Sequence, residues 1–388
     1  MRKIYCLSLA LAFLCGTWST KAQDDEDPTG FAITTAVPFL LISADARASG
    51  IGEQGVATSP DPYGIQWNPA KLAFLERQQS IGVNYSPFLR ELVNDINIGN
   101  FVYTNRFNER SAFGASLRFF SLGEIPFADG SGNDLGVGNP NEFTIDATYA
   151  LKLSERFSMA VSGRFFRSDL RLQQVDPDAR AASSFAVDIS GYYQSEEILY
   201  DTFDGRWRAG FNISNIGPPI SFDDTDDNDN FLPTQLRLGG GFDFILDAFN
   251  KIAVSVEVTK LLVPSPPVLG PDGEIIAGQD DDVNFFTGIF QSFGDAPEGF
   301  RGELAEYTAS LGAEYVYNDV FSLRVGYFNE SNLRGARKFA TLGAGFEFSS
   351  IDIDLSYLFS TSATVRNPLE GSLRFGITFS FGDDYDEF

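Results

Sequence analysis

Residues 372–381 read SLRFGITFSF. Leu373, Phe375, Ile377, Phe379 and Phe381 take every second position, and Ser372, Arg374, Gly376, Thr378 and Ser380 take the others. Side chains of an extended strand point alternately to opposite faces, so this segment has one fatty wall and one polar wall. The pattern recurs at 351–359, where Asp352, Asp354 and Ser356 form the polar set, and at 321–327 and 342–348. It returns at 236–244, with Arg237 and Asp243 on the polar face, and at 143–151, with Asp146 there.

A soluble sandwich alternates too. Two features favour a transmembrane barrel instead: the apolar faces stay large along the chain, and the connections alternate in length. Fourteen candidate strands begin near Ser80, Asn97, Arg110, Glu142, Arg156, Ser184, Arg206, Thr234, Lys251, Arg301, Val320, Arg337, Ile351 and Ser372. An even count suits a single-chain antiparallel barrel whose two ends meet on one side. With both ends in the periplasm, the connections at 105–110, 153–155, 247–250, 318–319 and 349–350 are tight periplasmic turns. Those at 121–141, 168–183, 217–233, 261–300 and 329–336 are longer outer loops. The connection at 194–205 is long for the periplasmic side. Aromatic residues make up 14% of the chain, with 38 Phe and 14 Tyr, which suits a lipid-facing wall with aromatic girdles.

Residues 1–22 read as a secretory signal. Arg2 and Lys3 precede a short apolar run from Ile4 to Leu14, and Thr20, Lys21 and Ala22 form a small-residue cleavage site. A lipoprotein site at Cys15 is disfavoured, because Leu14 stands where a small residue is wanted. No later stretch reaches the roughly 18 apolar residues of a spanning helix. Residues 23–79 lack alternation, are rich in Gly, Ala and Pro, and are expected to form a plug in the barrel mouth. The barrel is expected over 80–382, with an acidic periplasmic tail at 383–388.

Composition narrows function. Both cysteines, Cys6 and Cys15, lie in the signal, so the mature chain has no disulfide and no thiolate metal site. There is no histidine, which removes the usual general base and the commonest transition-metal ligand. A Ser-His hydrolase is excluded. The whole chain carries formal charge −25, and loss of Arg2, Lys3 and Lys21 with the signal takes it to −28. Nucleic acid does not suit such a surface. Acidic loops at the edges of a membrane protein explain the charge more simply than a basic or cation-bridged partner.

Several motifs carry a bland reading beside a functional one. Gly50, Gly52 and Gly55 fit a G-x-G-x-x-G spacing, but no buried strand precedes them and no βαβ unit surrounds them, so tight packing is favoured over a nucleotide site. Asp223, Asp224, Asp226, Asp227 and Asp229 cluster in one outer loop. Carboxylate oxygens can hold calcium, but the EF-hand pattern is absent and a solvated loop is the simpler reading. In the longest connection, Phe285, Phe286, Ile289, Phe290 and Phe293 lie close together, and 286, 289, 290 and 293 share one face of a short helix. This loop is expected either to cap the pore or to grip a partner or the lipid surface. Arg164, Glu257, Glu314, Arg324 and Glu347 are expected to face the lumen as ordinary mixed charges. No catalytic residue, metal or cofactor is assigned.

The stretch 45–61, DARASGIGEQGVATSPD, and the stretch 66–74, QWNPAKLAF, resemble the PorV (LptO) family of the type IX secretion system. Its likeness continues through 326–348. The Asn68-Pro69-Ala70 element is shared more widely, among FadL-like barrels. The plug motif of the resemblance comprises Asp45, Arg47, Gly50, Gly52, Gly55, Trp67, Asn68, Pro69 and Ala70. The resemblance implies a fourteen-stranded, FadL-like outer-membrane barrel with an N-terminal plug and no catalysis. It implies binding of the C-terminal signal domain of secreted cargo leaving the large translocon barrel, and transfer to the sortase-like attachment complex. A FadL-type channel for hydrophobic small molecules is the alternative. An enzyme acting on lipid A is the third reading, and it lacks a histidine base.

Overall fold

A computed structural model describes residues 32–89, 93, 95–128, 130–131, 133–171, 180–222, 230–361 and 369–385. Fourteen long strands build the wall. They are β1 Arg77–Pro87, β2 Asn97–Arg106, β3 Ser111–Ser121, β4 Asn141–Ser154, β5 Phe157–Asp169, β6 Ala182–Gln194 and β7 Asp204–Ile216. The second half comprises β8 Gln235–Asp247, β9 Asn250–Leu261, β10 Tyr307–Tyr317, β11 Phe321–Asn329, β12 Lys338–Phe348, β13 Ile351–Ser360 and β14 Leu373–Asp384. Each pairs antiparallel with its neighbour in the chain. The last strand pairs with the first, Ile377 opposite Val83, and the sheet closes.

The wall is inverted relative to a soluble sandwich. In β14, Arg374 is 1% exposed while Phe375 is 47% exposed. Leu117, Ile145, Val256, Leu311 and Ile353 also face outward, and Asp146, Arg164, Asp188, Asn212 and Glu257 face the lumen. An apolar face left open all round a closed sheet has lipid as its natural solvent.

The strand expected near Arg301 starts later, at Tyr307. A short helix, Phe300–Ala305, comes first. Its sequence FRGELA has no alternation, and Glu303 sits favourably in its first turn. The wall also runs from Arg77 to Asp384, slightly wider than 80–382, with an Arg77–Asp384 ion pair joining the two ends at 2.6 Å. Glu347 keeps the inward parity of β12, between the outward Phe346 and Phe348, and sits exposed at the barrel mouth near the turn into β13.

The segment before β1 lies inside the barrel. It forms a 3-10 turn at Pro38–Leu41, helix α1 at Ala46–Gly50, helix α2 at Gly64–Trp67 and a second 3-10 turn at Pro69–Phe74. At the end of the long connections, Phe39 and Leu40 pack among Phe88, Ile98, Phe120 and Phe166. At the end of the short turns, Ile65 and Leu72 pack with Val102, Ala112, Ala150 and Tyr192. Wall glycines admit the plug backbone. A Cβ on Gly326 would come within 2.0 Å of the Gly52 nitrogen, and one on Gly210 within 2.2 Å of the Val56 carbonyl oxygen. Gly52 itself has φ +86°, a conformation that other residues rarely adopt.

This contact predicts that Gly326→Leu displaces the plug by direct overlap. Overpacking of this kind costs about 1–3 kcal/mol. The unfolding midpoint should fall, and protease should cut the segment 45–74 faster in the folded barrel. An unchanged cleavage rate would rule out the close fit.

Candidate functional site

The plug is fixed to the wall by buried polar bonds. Asp45 caps α1, accepting from the Arg47 and Ala48 amides at 2.8 and 3.3 Å, and its Oδ2 also accepts from Trp67 Nε1 at 3.2 Å. An Asx side chain at this position satisfies amides that a helix start leaves open. Arg47 then reaches the wall. Its Nη2 donates to Glu314 Oε2 at 2.9 Å and its Nε to Glu314 Oε1 at 3.2 Å. Arg324 on β11 donates to the same Glu314 Oε1 at 2.7 Å and also bonds Asp354 on β13.

Asp61 joins two cations. Its Oδ2 accepts from Arg47 Nη1 at 3.2 Å and from Lys71 Nζ at 2.9 Å. The Lys71 side chain is fully buried, and its other two bonds go to Thr58 Oγ1 and the Gly55 carbonyl. Asn68 caps the second 3-10 turn, with Pro69 beginning that turn. Its Nδ2 donates to Val56 O at 2.8 Å and to Gly191 O on β6 at 3.0 Å. Ala70 is buried, with its amide on Ser190 Oγ and its carbonyl accepting from Ser158 Oγ. Trp67 lies under the Arg237 guanidinium, 4.5 Å from the ring centre.

The three motif glycines serve packing. Gly50 lies against Gly343 of β12, and Gly55 lies under Trp67, where a Cβ would come within 2.4 Å of the ring. The Gly55 and Val56 amides both donate to Glu257 Oε2, at 2.8 and 2.9 Å. Thr341 bonds the Gly52 amide and the Gly50 carbonyl, each at 3.0 Å. Glu53 pairs with Arg374 at 2.7 Å. Eight of the nine plug-motif residues thus contact the wall or one another, and Pro69 starts the turn that places Asn68 and Ala70. Glu257, Glu314, Arg324 and Arg374 complete these contacts from four strands. Sequence reasoning placed the first three in the lumen without a role. Their regular inward placement was the available signal.

Above the plug is a chamber of about 120 Å³ lined by charged and aromatic groups, among them Glu53, Trp67, Arg237, Arg334, Arg337 and Phe328. The apolar space nearby is filled by Phe39 and Leu40 of the chain itself.

The Phe-rich stretch forms helix α3, Phe285–Gln291, capped by Asn284 on the Thr287 amide. Gly288 packs against Pro264 and Phe231, which seats the helix on the loop end of the barrel. Phe285 and Ile289 are half-buried. Phe286 is 60% exposed and Phe290 77%, and Phe293 also faces out. Phe300 and Leu304, of helix α4 (Phe300–Ala305), are exposed as well. The aspartates at 223–229 lie outside the described residues.

A closed antiparallel barrel with a lipid-facing wall and an internal N-terminal plug defines an outer-membrane β-barrel protein of the FadL-like type. The family profile described as "Type IX secretion system protein PorV" matches residues 23–268. The chain belongs to the PorV family and is a component of the type IX secretion system. Among solved structures it is similar in fold to the Pseudomonas putida toluene transporter TodX, at 12% identity and a TM-score of 0.50, covering 86% of this chain and 96% of that one. A deltaS2 mutant of the TodX monoaromatic hydrocarbon channel gives 11% identity and a TM-score of 0.51, over 88% of this chain and 98% of that one. A Pseudomonas aeruginosa FadL homologue is 13% identical, with a TM-score of 0.44, over 91% of this chain and 100% of that one. No curated protein matches the sequence.

Asp61→Ala leaves Arg47 and Lys71 without a shared carboxylate. Breaking a buried pair from one side costs about 3–5 kcal/mol. Urea titration of the folded protein in micelles should show a loss of this size, and adding Lys71→Met should restore part of it. A midpoint equal to the parent's would show that the pairs do not hold the plug.

Proposed function

We propose that this barrel is a non-enzymatic carrier within the type IX system. It binds the C-terminal signal domain of cargo leaving the large translocon barrel and hands it to the sortase-like attachment complex at the surface. Both chain ends lie in the periplasm in this reading, and the long connections reach the outside. The observation that carries it is the combination of a pinned plug with an open row of apolar side chains on the loop end. Phe286 and Phe290 are mostly exposed, Phe293 keeps an open side while its ring faces Lys260, and all three are available to a protein partner. Exposed apolar clusters of this kind commonly mark interaction sites.

Catalysis finds no support in the lumen. The acids Glu257 and Glu314 are engaged by plug amides and arginines, and no histidine stands beside any serine. Outer-membrane lipid surrounds the wall, and the acidic surface does not suit nucleic acid.

The second reading, a channel for hydrophobic small molecules, draws on the fold shared with TodX, a toluene transporter and monoaromatic hydrocarbon channel. Phe39 and Leu40 occupy the apolar cluster in the lumen, and the remaining chamber mixes apolar groups with six charged ones, Glu53, Arg237, Glu306, Glu330, Arg334 and Arg337. Both favour the carrier reading.

Deleting the gene should leave cargo in the periplasm with its C-terminal signal uncleaved. Normal secretion by the deletion strain would sink the carrier reading. A finer test is Phe286→Glu with Phe290→Glu. The barrel should still show its folded, heat-modifiable band on a gel, while co-purification of the translocon or cargo should fall at least tenfold. Retention of both partners at parental levels would remove the helix from the contact surface.

A further inference from the structure

A second buried charge cluster lies apart from the plug network, where the longest loop meets the wall. Asp295, Glu303 and Glu306 each offer a carboxylate oxygen, and all three oxygens lie within 4.8 Å of one another. Lys260 at the end of β9 bonds Glu306 and reaches Glu303 at 3.4 Å. Arg334 bridges Glu298 at 2.9 Å and Glu306 at 3.2 Å. Four carboxylates thus share two cations. Two negative charges remain uncompensated.

A separate observation points into the cluster. Asp295 is 1% exposed, and its Oδ1 has no hydrogen-bond partner. Its other oxygen accepts from the Ser265 amide at 3.0 Å. Elsewhere in the cluster the acceptors are used: Glu303 Oε1 by the Ala296 amide at 2.8 Å, and Glu306 Oε1 by Ser265 Oγ. A buried acceptor left open is costly, and more so when it bears charge. A cation against Oδ1 would satisfy that open acceptor and offset the excess negative charge.

We propose that Asp295, Glu303 and Glu306 form a calcium site that cross-links the end of the 262–306 loop, tying Asp295 to the helix that leads into β10. The donor set is all carboxylate, with neither imidazole nor thiolate in the whole mature chain, so a hard cation fits and zinc does not. Calcium accepts irregular sets of oxygens and completes its shell with water, whereas magnesium demands near-octahedral geometry and holds its own waters. The excess of two negative charges matches one divalent ion. Asp295 belongs to the loop, Glu303 to helix α4, and Glu306 caps the C-terminus of that helix just before β10, so one ion would tie the loop to the helix–strand junction. Helix α3, with its exposed phenylalanines, lies on the same loop just before Asp295. The clasp would therefore set the pose of that helix.

The test is calorimetric titration of the full-length protein in micelles, after EGTA treatment, with calcium chloride and separately with magnesium chloride. Calcium should bind with a dissociation constant of about 10⁻⁴–10⁻³ M, the range of extracellular sites. Asp295→Asn and Glu303→Gln, which keep side-chain shape, should each weaken binding at least tenfold. Calcium should also slow proteolysis of the 262–306 loop in the parent and not in the variants. The aspartates at 223–229 offer a rival source of binding heat, and the variants separate the two. Calcium binding of equal strength in the parent and both variants would overturn the site. So would no binding up to 10 times the upper end of that range, or equal binding of magnesium.

Discussion

The closure of β14 onto β1 is the constraint on which everything else depends. Inside a bilayer no water is available to an open strand edge, so each amide and carbonyl must find its partner along the ring. The pairing that runs from Tyr85 opposite Phe375 to Ser80 opposite Ser380 supplies it. Once the sheet is closed, the two faces of each strand meet different solvents. Phe375 and Phe379 meet lipid, and Arg374 and Thr378 meet the lumen. The enclosed polar face then needs partners of its own.

The plug is that partner. Its backbone is irregular, and irregular backbone at membrane depth is tolerated only inside a protein wall. Amides freed at helix starts and turns bond Glu257, Thr341 and Asp45. The charges run in chains through Asp61, Arg47 and Glu314 to Arg324, linking plug to wall. A low local dielectric strengthens each of these bonds and also raises the cost of breaking one from a single side. Both apolar ends of the plug, around Phe39 and around Leu72, close the lumen with ordinary side-chain packing.

The wall was legible in the sequence because strand geometry repeats every second residue. Leu373 to Phe381 could be sorted by face without knowing any neighbour. The 300–305 helix escaped this reading, since RGELA gives no alternation in either sense and a strand was continued through it. The plug motif was recognisable as a string, yet its contacts were not. Arg47 meets Glu314, and Glu53 meets Arg374, across separations that no local spacing rule encodes. The Phe-rich helix was legible from its 3.6-residue spacing. The cluster of Asp295, Glu303 and Glu306 was hidden because its cations come from β9 and from the turn after β11. The family itself was legible only through resemblance, since alternation carries no information about cargo.

The seam between the first and last strands also has a consequence for biogenesis. The ring cannot shut until the C-terminal strand has been delivered. The plug directly precedes the first strand, and Glu53 binds Arg374 on the last one. A plug braced by glycine contacts on β7, β11 and β12 has no clearance to slide along a finished cylinder in its folded form. It takes its final shape only against the wall, and the Glu53–Arg374 pair joins it to the strand that is synthesised last.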